Sequence, residues 1–220
     1  MSQTWFITGT DTGCGKTTIT AALARRLGQT HSVACFKPVA SGAAPDAEGR
    51  LRNDDALTLI DSASLRLPYE TVNPVVLAPA IAPHIAAAQA NVCIDVAALA
   101  RGIRSVSADW RLVEGAGGWM VPLGDDLMTA DLVRALDAEV VLVIGLRLGC
   151  INHGLLSARA LQADGCRLRG WIANIPDPAL PVLEQNIATL EHHLGPALGR
   201  FQDGQWRDDQ GLIDAAGQPD

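Results

Sequence analysis

Chemistry concentrates first in Gly9-Thr10-Asp11-Thr12-Gly13-Cys14-Gly15-Lys16-Thr17-Thr18, which follows the strand-like run Trp5-Phe6-Ile7-Thr8 and opens a helix. Glycines let successive backbone N–H groups turn toward one anion, and a helix N-terminus adds partial positive charge. Lys16 can reach the outer phosphates of a nucleotide, and the Thr17 hydroxyl can ligate Mg²⁺. Two stricter patterns fail. Thr18 stands where the dinucleotide fingerprint Gly-x-Gly-x-x-Gly needs its third glycine, and Thr10 stands where Gly-x4-Gly-Lys-Ser/Thr needs its first. What remains, Gly-x-Gly-Lys-Thr-Thr between a strand and a helix, marks Gly13, Cys14, Gly15, Lys16, Thr17 and Thr18 as a phosphate cradle.

Four further groups could narrow the chemistry. Lys37 ends a second strand, just before Pro38-Val39-Ala40-Ser41-Gly42. It is either an ordinary lysine at the rim of a sheet or a cation beside the phosphates. Glu114 ends a third strand and precedes Gly115-Ala116-Gly117-Gly118. It either caps a tight turn or holds Mg²⁺, with the glycines admitting a ligand closely. Asp54 and Asp55 precede Ala56-Leu57, where one can cap a helix and the other complete a Mg²⁺ shell with Thr17 and Glu114. Gly149-Cys150-Ile151-Asn152-His153 begins a helix after an apolar strand, either as a plain capped start or as a site for a carboxylate.

The elements that would position these residues alternate. Helical spacing covers residues 16–27, with Gly28 as a stop, and residues 32–37 read as a strand that must end before Pro38. Residues 38–94 are dense in proline and read as a loop-rich insertion with short helices, one at residues 54–59. Asp95 caps a helix reaching about Ser107; strands follow at residues 111–113, 140–145 and 170–173, with helices at 152–163 and 180–194. The unbroken apolar run of residues 140–144 suits a strand buried on both faces. This order predicts a single α/β domain over residues 1–220, with a mostly parallel sheet flanked by helices and ligands beyond the strands' carboxyl ends. The glycine-rich polar tail is expected to be irregular from about residue 199, and its last six residues disordered.

Composition excludes several classes. A hydrophobic share of 48% argues for a globular chain, and a net charge of −7 argues against nucleic-acid binding by bulk charge. No apolar run approaches the roughly 20 residues of a membrane span. No secretory signal opens the chain, and five scattered cysteines without a Cys-x-x-Cys pair point to reduced thiols in a cytoplasm. His192 and His193 are adjacent on a helix and diverge, which makes them poor joint metal ligands.

Taken together, the segments resemble the dethiobiotin synthetases, members of the P-loop NTPase superfamily. The resemblance runs through Gly9-Thr10-Asp11-Thr12 with Gly15-Lys16-Thr17, Lys37-Pro38-Val39-Ala40-Ser41-Gly42, Arg52-Asn53 with Asp55-Ala56-Leu57, and Val72-Asn73-Pro74. It continues through Ala82-Pro83-His84, Val113-Glu114-Gly115-Ala116-Gly117-Gly118, Leu148-Gly149-Cys150-Ile151-Asn152-His153 and Gly170-Trp171-Ile172-Ala173-Asn174. It implies a P-loop architecture and a cytoplasmic homodimer that closes a cyclic urea on 7,8-diaminononanoate with CO₂ (or bicarbonate), ATP and Mg²⁺. In that scheme Lys16 and Lys37 flank the carbamate and γ-phosphate, while Thr12 and Ser41 bond the carbamate or amines. Thr17, Asp55 and Glu114 hold the metal; Gly115, Ala116 and Gly117 line the nucleotide and Gly118 the substrate. Gly149, Cys150, Ile151 and Asn152 meet the substrate carboxylate across the dimer, and Asn174 bonds the adenine. Cys14 stands where an aliphatic residue is common, and its thiol is expected to be reactive and protected by ATP. Two rivals use similar loops. A partition-type switch ATPase usually carries another lysine early in the loop, where Thr10 and Asp11 stand. A cobyrinate-type amidating enzyme normally carries a glutaminase domain, for which 220 residues leave little room.

Overall fold

Trp5, Phe6 and Ile7 alternate between two cores, because successive strand residues face opposite sides of a sheet. Trp5 and Ile7 pack with Ile19 and Leu23, while Phe6 packs with Leu99, Ile103, Val133 and Leu136. The structure is a computed structural model that describes residues 2–209 and 211–212. Its first elements are strand β1 (Gln3–Gly9), helix α1 (Lys16–Leu27) and strand β2 (Val33–Phe36).

The proline-dense stretch is more ordered than its composition predicts. It contains β3 (Val39–Ser41), β4 (Ala44–Pro45), β5 (Leu51–Arg52), α2 (Asp54–Ser62), α3 (Tyr69–Val72), β6 (Val75–Leu77) and α4 (Pro83–Gln89). The short strands pair among themselves, β3 with β6 and β4 with β5, so their prolines interrupt no ladder of the main sheet. Then come α5 (Val96–Ser105), capped by Asp95, and β7 (Trp110–Glu114), α6 (Thr129–Leu136), β8 (Glu139–Gly145), α7 (Cys150–Ala163), β9 (Arg167–Ile175), α8 (Leu183–Leu194), β10 (Gly199–Gln202) and β11 (Gln205–Asp208). Helix α6 went unread because its start lies in a polar, glycine-interrupted stretch. The Asp131 carboxylate accepts the Met128 N–H at 2.7 Å there and supplies the missing cap.

The main sheet has seven strands in the order β11-β10-β9-β8-β1-β7-β2, parallel everywhere except between β10 and β11. This is the expected α/β class. Parallel pairing carries the ends of β1, β2, β7, β8 and β9 to one edge, which brings Gly9, Lys37, Glu114, Gly145 and Asn174 to a common rim.

The expectation of an irregular tail from about residue 199 is corrected. Strand β10 joins β9 in parallel register, Phe201 facing Asn174, and β11 turns back along it. The turn uses positive φ at both Asp203 (52°) and Gly204 (75°), the requirement that an Asp-Gly pair meets in a tight hairpin. Phe201 is 4% exposed and meets Trp206 edge-on at 5.0 Å, so two aromatic residues anchor what reads as a polar tail. The last six residues lie outside the described residues.

Candidate active site

Glycines shape the loop between β1 and α1. Gly13 (φ 80°) and Gly15 (φ 95°) occupy the left-handed region, and a Cβ on Gly15 would collide with the Asn174 amide. The Asn174 Nδ2 donates to the Cys14 carbonyl at 2.9 Å, so the end of β9 braces the loop from below. Gly145, ending β8, lets its strand approach just as closely: a Cβ there would lie 3.1 Å from Cys14 Cα. Cys14 is 4% exposed, packed between the strand ends and the α1 core. The thiol expected to be reactive is therefore shielded in the nucleotide-free protein by the strand ends that the glycines let approach.

Lys16 is buried and its ammonium donates to the Asp11 carbonyl at 3.0 Å. The Asp11 side chain does two further things. One oxygen accepts the Thr12 N–H at 2.7 Å and the other takes Arg147 at 2.6 Å. The Thr12 N–H, then the Arg147 guanidinium, hold its carboxyl below the usual value. Arg147 lies on the segment between β8 and α7, so this ion pair ties the phosphate loop to the segment leading into Gly149. Sequence reasoning missed Arg147; the cue was a cation just past a strand that ends at the rim.

The expected metal ligands converge on Lys37. Glu114 is fully buried, and its Oε1 accepts the Thr17 hydroxyl at 2.8 Å and the Lys37 ammonium at 2.6 Å. Lys37 also meets Asp55 Oδ2 at 2.9 Å and the Gly115 carbonyl at 3.3 Å. Burial pushes the Lys37 pKa down, but Glu114 and then Asp55 outweigh it, and the net shift is upward. Burial likewise favours the neutral form of Asp55, yet Lys37, with help from Thr17 and Lys16, leaves it below the usual carboxylate value. Of the two aspartates, Asp55 rather than the exposed Asp54 faces the site, as its Ala-Leu context implied.

Glu114 Oε2 is buried without a hydrogen-bond partner. An orphaned carboxylate oxygen beside a hydroxyl and a second carboxylate is a hard oxygen donor set, and it fits Mg²⁺. Among the described residues no group of three His, Cys, Asp or Glu side chains could hold a metal alone.

The turn after β7 closes over the loop. Gly118 packs beside β1, where a Cβ would make an ordinary contact 3.5 Å from the Gly9 carbonyl, and Gly117 (φ 63°) faces Thr12 Oγ1. Ala116 and Gly117 are half-buried, and Thr12 and Gly13 are exposed beside them. Ser41 ends β3 half-buried, just beyond Lys37-Pro38. At the start of α7, Gly149 and Asn152 are exposed and Ile151 is half-buried. Cys150 differs: its side chain is buried and its N–H is already taken by the Arg147 carbonyl at 3.0 Å.

A Gly-x-Gly-Lys-Thr loop wrapped by parallel strand ends, with a buried carboxylate facing its threonine, defines a P-loop nucleotide-binding protein. A family model described as an AAA domain matches residues 3–202. Solved structures of that class share the fold. The MinC:MinD cell division complex of Aquifex aeolicus aligns at a TM-score of 0.56, covering 98% of this chain and 85% of that chain at 15% identity. A ParA family ATPase from Chlorobium tepidum aligns at 0.54, covering 98% and 89% at 13% identity. Within the class, the chain belongs to the ATP-dependent dethiobiotin synthetase family. It is 56% identical over 203 residues to the family's protein from Pseudomonas aeruginosa, covering 89% of this chain and 88% of that one. It is 49% identical to the one from Cellvibrio japonicus, covering 90% and 88%. The likeness to partition-type ATPases is one of fold, at 13–15% identity, and does not favour that alternative.

Proposed function

We propose that this chain makes dethiobiotin from 7,8-diaminononanoate, CO₂ and ATP with Mg²⁺. The observation that carries the reading is Lys37, buried between Glu114 at 2.6 Å and Asp55 at 2.9 Å and linked through Glu114 to Thr17 of the phosphate loop. A cation held there stands between the nucleotide loop and the Ser41 segment. One substrate amine, losing a proton, adds to CO₂ as a carbamate. A carbamate oxygen attacks the γ-phosphorus and ADP leaves. The second amine attacks the carbonyl carbon, the ring closes and phosphate departs. Each step concentrates negative charge, so positioned cations carry most of the catalysis. Lys16 moves from the Asp11 carbonyl to the phosphates, and Lys37 bridges carbamate and γ-phosphate. Thr12, Ser41 and the Gly118 backbone orient the amines and carbamate, which makes ring closure intramolecular. Thr17, Asp55 and Glu114 would hold Mg²⁺, which neutralises phosphate charge when bound. With its Nδ2 on Cys14, Asn174 offers Oδ1 to the exocyclic amine of adenine.

The homodimer belongs to the same proposal. Leu148, just before α7, is 96% exposed and Leu156, midway along it, 57% exposed, so the helix at whose start the substrate carboxylate would bind across the interface carries uncovered apolar side chains. Five cysteines without a disulfide fit a cytoplasmic enzyme, and no helix among the described residues is long and apolar enough to cross a membrane. The test is diamine dependence. ADP release from Mg²⁺-ATP and bicarbonate should require 7,8-diaminononanoate; turnover indifferent to the diamine would reject the reading in favour of a switch ATPase.

A further inference from the structure

Tyr69, the chain's single tyrosine, is half-buried at the start of α3 and faces both the helix that carries Asp55 and the segment that carries Lys37. Its hydroxyl donates to Asn73 Oδ1 at 2.8 Å and accepts the Asn53 N–H at 2.8 Å. Each partner leads to a site residue. Asn53 is buried at the N-cap of α2, where its Oδ1 accepts the Ala56 N–H at 3.3 Å, and Asp55 lies in that first turn. Asn73 is 2% exposed and donates from Nδ2 to the Lys37 carbonyl at 2.6 Å. The Lys37 N–H in turn donates to the Val72 carbonyl at 2.9 Å. The ring is held from outside by the Arg52 guanidinium, 4.0 Å over its centroid, which pairs with Asp46 and Glu70 at 3.2 Å each.

A polar chain whose two asparagines are buried and whose hydroxyl is paired on both sides favours one geometry, because moving the hydroxyl breaks both of its bonds at once. Here its ends are the backbones of two groups that must meet one phosphoryl group. We propose that the Tyr69 hydroxyl is a positioning group that sets Asp55 and Lys37 relative to each other, acting through Asn53 and Asn73. The inference rests on the ligase reading of those two residues.

Tyr69→Phe removes one oxygen and keeps the ring beneath Arg52. Groups bonded directly to metal ligands are worth about 10–100-fold in metal affinity or activity, and Tyr69, one hydrogen bond further out, belongs at the low end of that range. The variant should remain folded by circular dichroism and lose about tenfold or more in kcat, with KM for ATP within about twofold of the parent. Calorimetric Mg²⁺ affinity of the ADP-bound protein should fall about tenfold. Glu70→Gln loosens the outer support without touching the hydroxyl and should keep the parent's kcat. Unchanged kcat and Mg²⁺ affinity in Tyr69→Phe would overturn the proposal. So would a loss fully restored on cooling, since that is instability rather than misplacement. If the parent itself makes no dethiobiotin, the ligase reading fails instead, and the Mg²⁺ titration, which needs no diamine, still decides the role of Tyr69.

Discussion

At Lys37 two pressures oppose each other. Burial disfavours its charge, and carboxylates at 2.6 and 2.9 Å restore it, so the ammonium is charged and paired in the nucleotide-free protein. The linkage follows from the signs. Lys37 is raised above its ordinary 10.5, so its contribution is full below that pH and is lost as pH climbs through the folded value. Asp55 is depressed below its ordinary 3.8, so its contribution holds above that pH and is lost as pH falls through the folded value. The melting temperature of the nucleotide-free protein should therefore owe nothing to this pair's titration between about pH 4 and pH 10. Asp55→Asn should flatten the acid limb below that window; an acid limb identical to the parent's would show that Asp55 is not paired. Cysteines offer a second residue-scale test. Cys93 is exposed, while Cys14, Cys35, Cys150 and Cys166 are buried and burial pushes the Cys35 thiol up to about 12. At pH 8 an aromatic disulfide reagent should label Cys93 quickly and the other four only on unfolding. A second fast thiol that ATP protects would restore the reactive Cys14 expected from its loop position.

Elements explain why the chemistry was legible. Glycines, lysine and threonine in the first loop, Glu114 before its glycines and the Lys37-Pro38 strand end all announce themselves, because turn chemistry and strand ends are local properties. Tyr69 and Arg147 did not, and Asn73 stood out only within Val72-Asn73-Pro74. Their bonds to Asn53, Asp11 and Lys37 span 16, 136 and 36 residues, which no local pattern encodes. Loop geometry makes its own prediction. Gly15→Ala would place a Cβ in the left-handed region and against Asn174, so nucleotide affinity should drop by about tenfold or more while the fold persists. Affinity equal to the parent's, measured by calorimetry with ADP, would mean that the loop tolerates a shape other than the one described.

Across the whole molecule, the sheet is wider than the sequence pattern suggested, since β10 and β11 add two strands beside β9, with Phe201 opposite Asn174. Two short strands of alternating residues around Asp-Gly look like a polar tail until the aromatic pair is placed on the edge of the core. Phe201→Ala should cost about 3–5 kcal/mol in denaturant unfolding, the usual loss for a buried phenylalanine. Turnover per folded molecule should hardly change, because Phe201 is buried in the core with α1 and Leu212. A loss under about 1 kcal/mol would place the hairpin outside the folding unit.

The proposed function has this rim of the sheet build a urea carbonyl from CO₂ while ATP is split to ADP and phosphate. Purified protein given Mg²⁺-ATP, ¹³C-bicarbonate and 7,8-diaminononanoate should yield dethiobiotin carrying a single ¹³C at the ureido carbonyl, with one ADP per product. Lys37→Ala should lower that yield by about 100-fold or more. Labelled product at the parent's rate from Lys37→Ala would remove Lys37 from the chemistry, and ADP released by the parent without any labelled dethiobiotin would show that this rim does not close the urea.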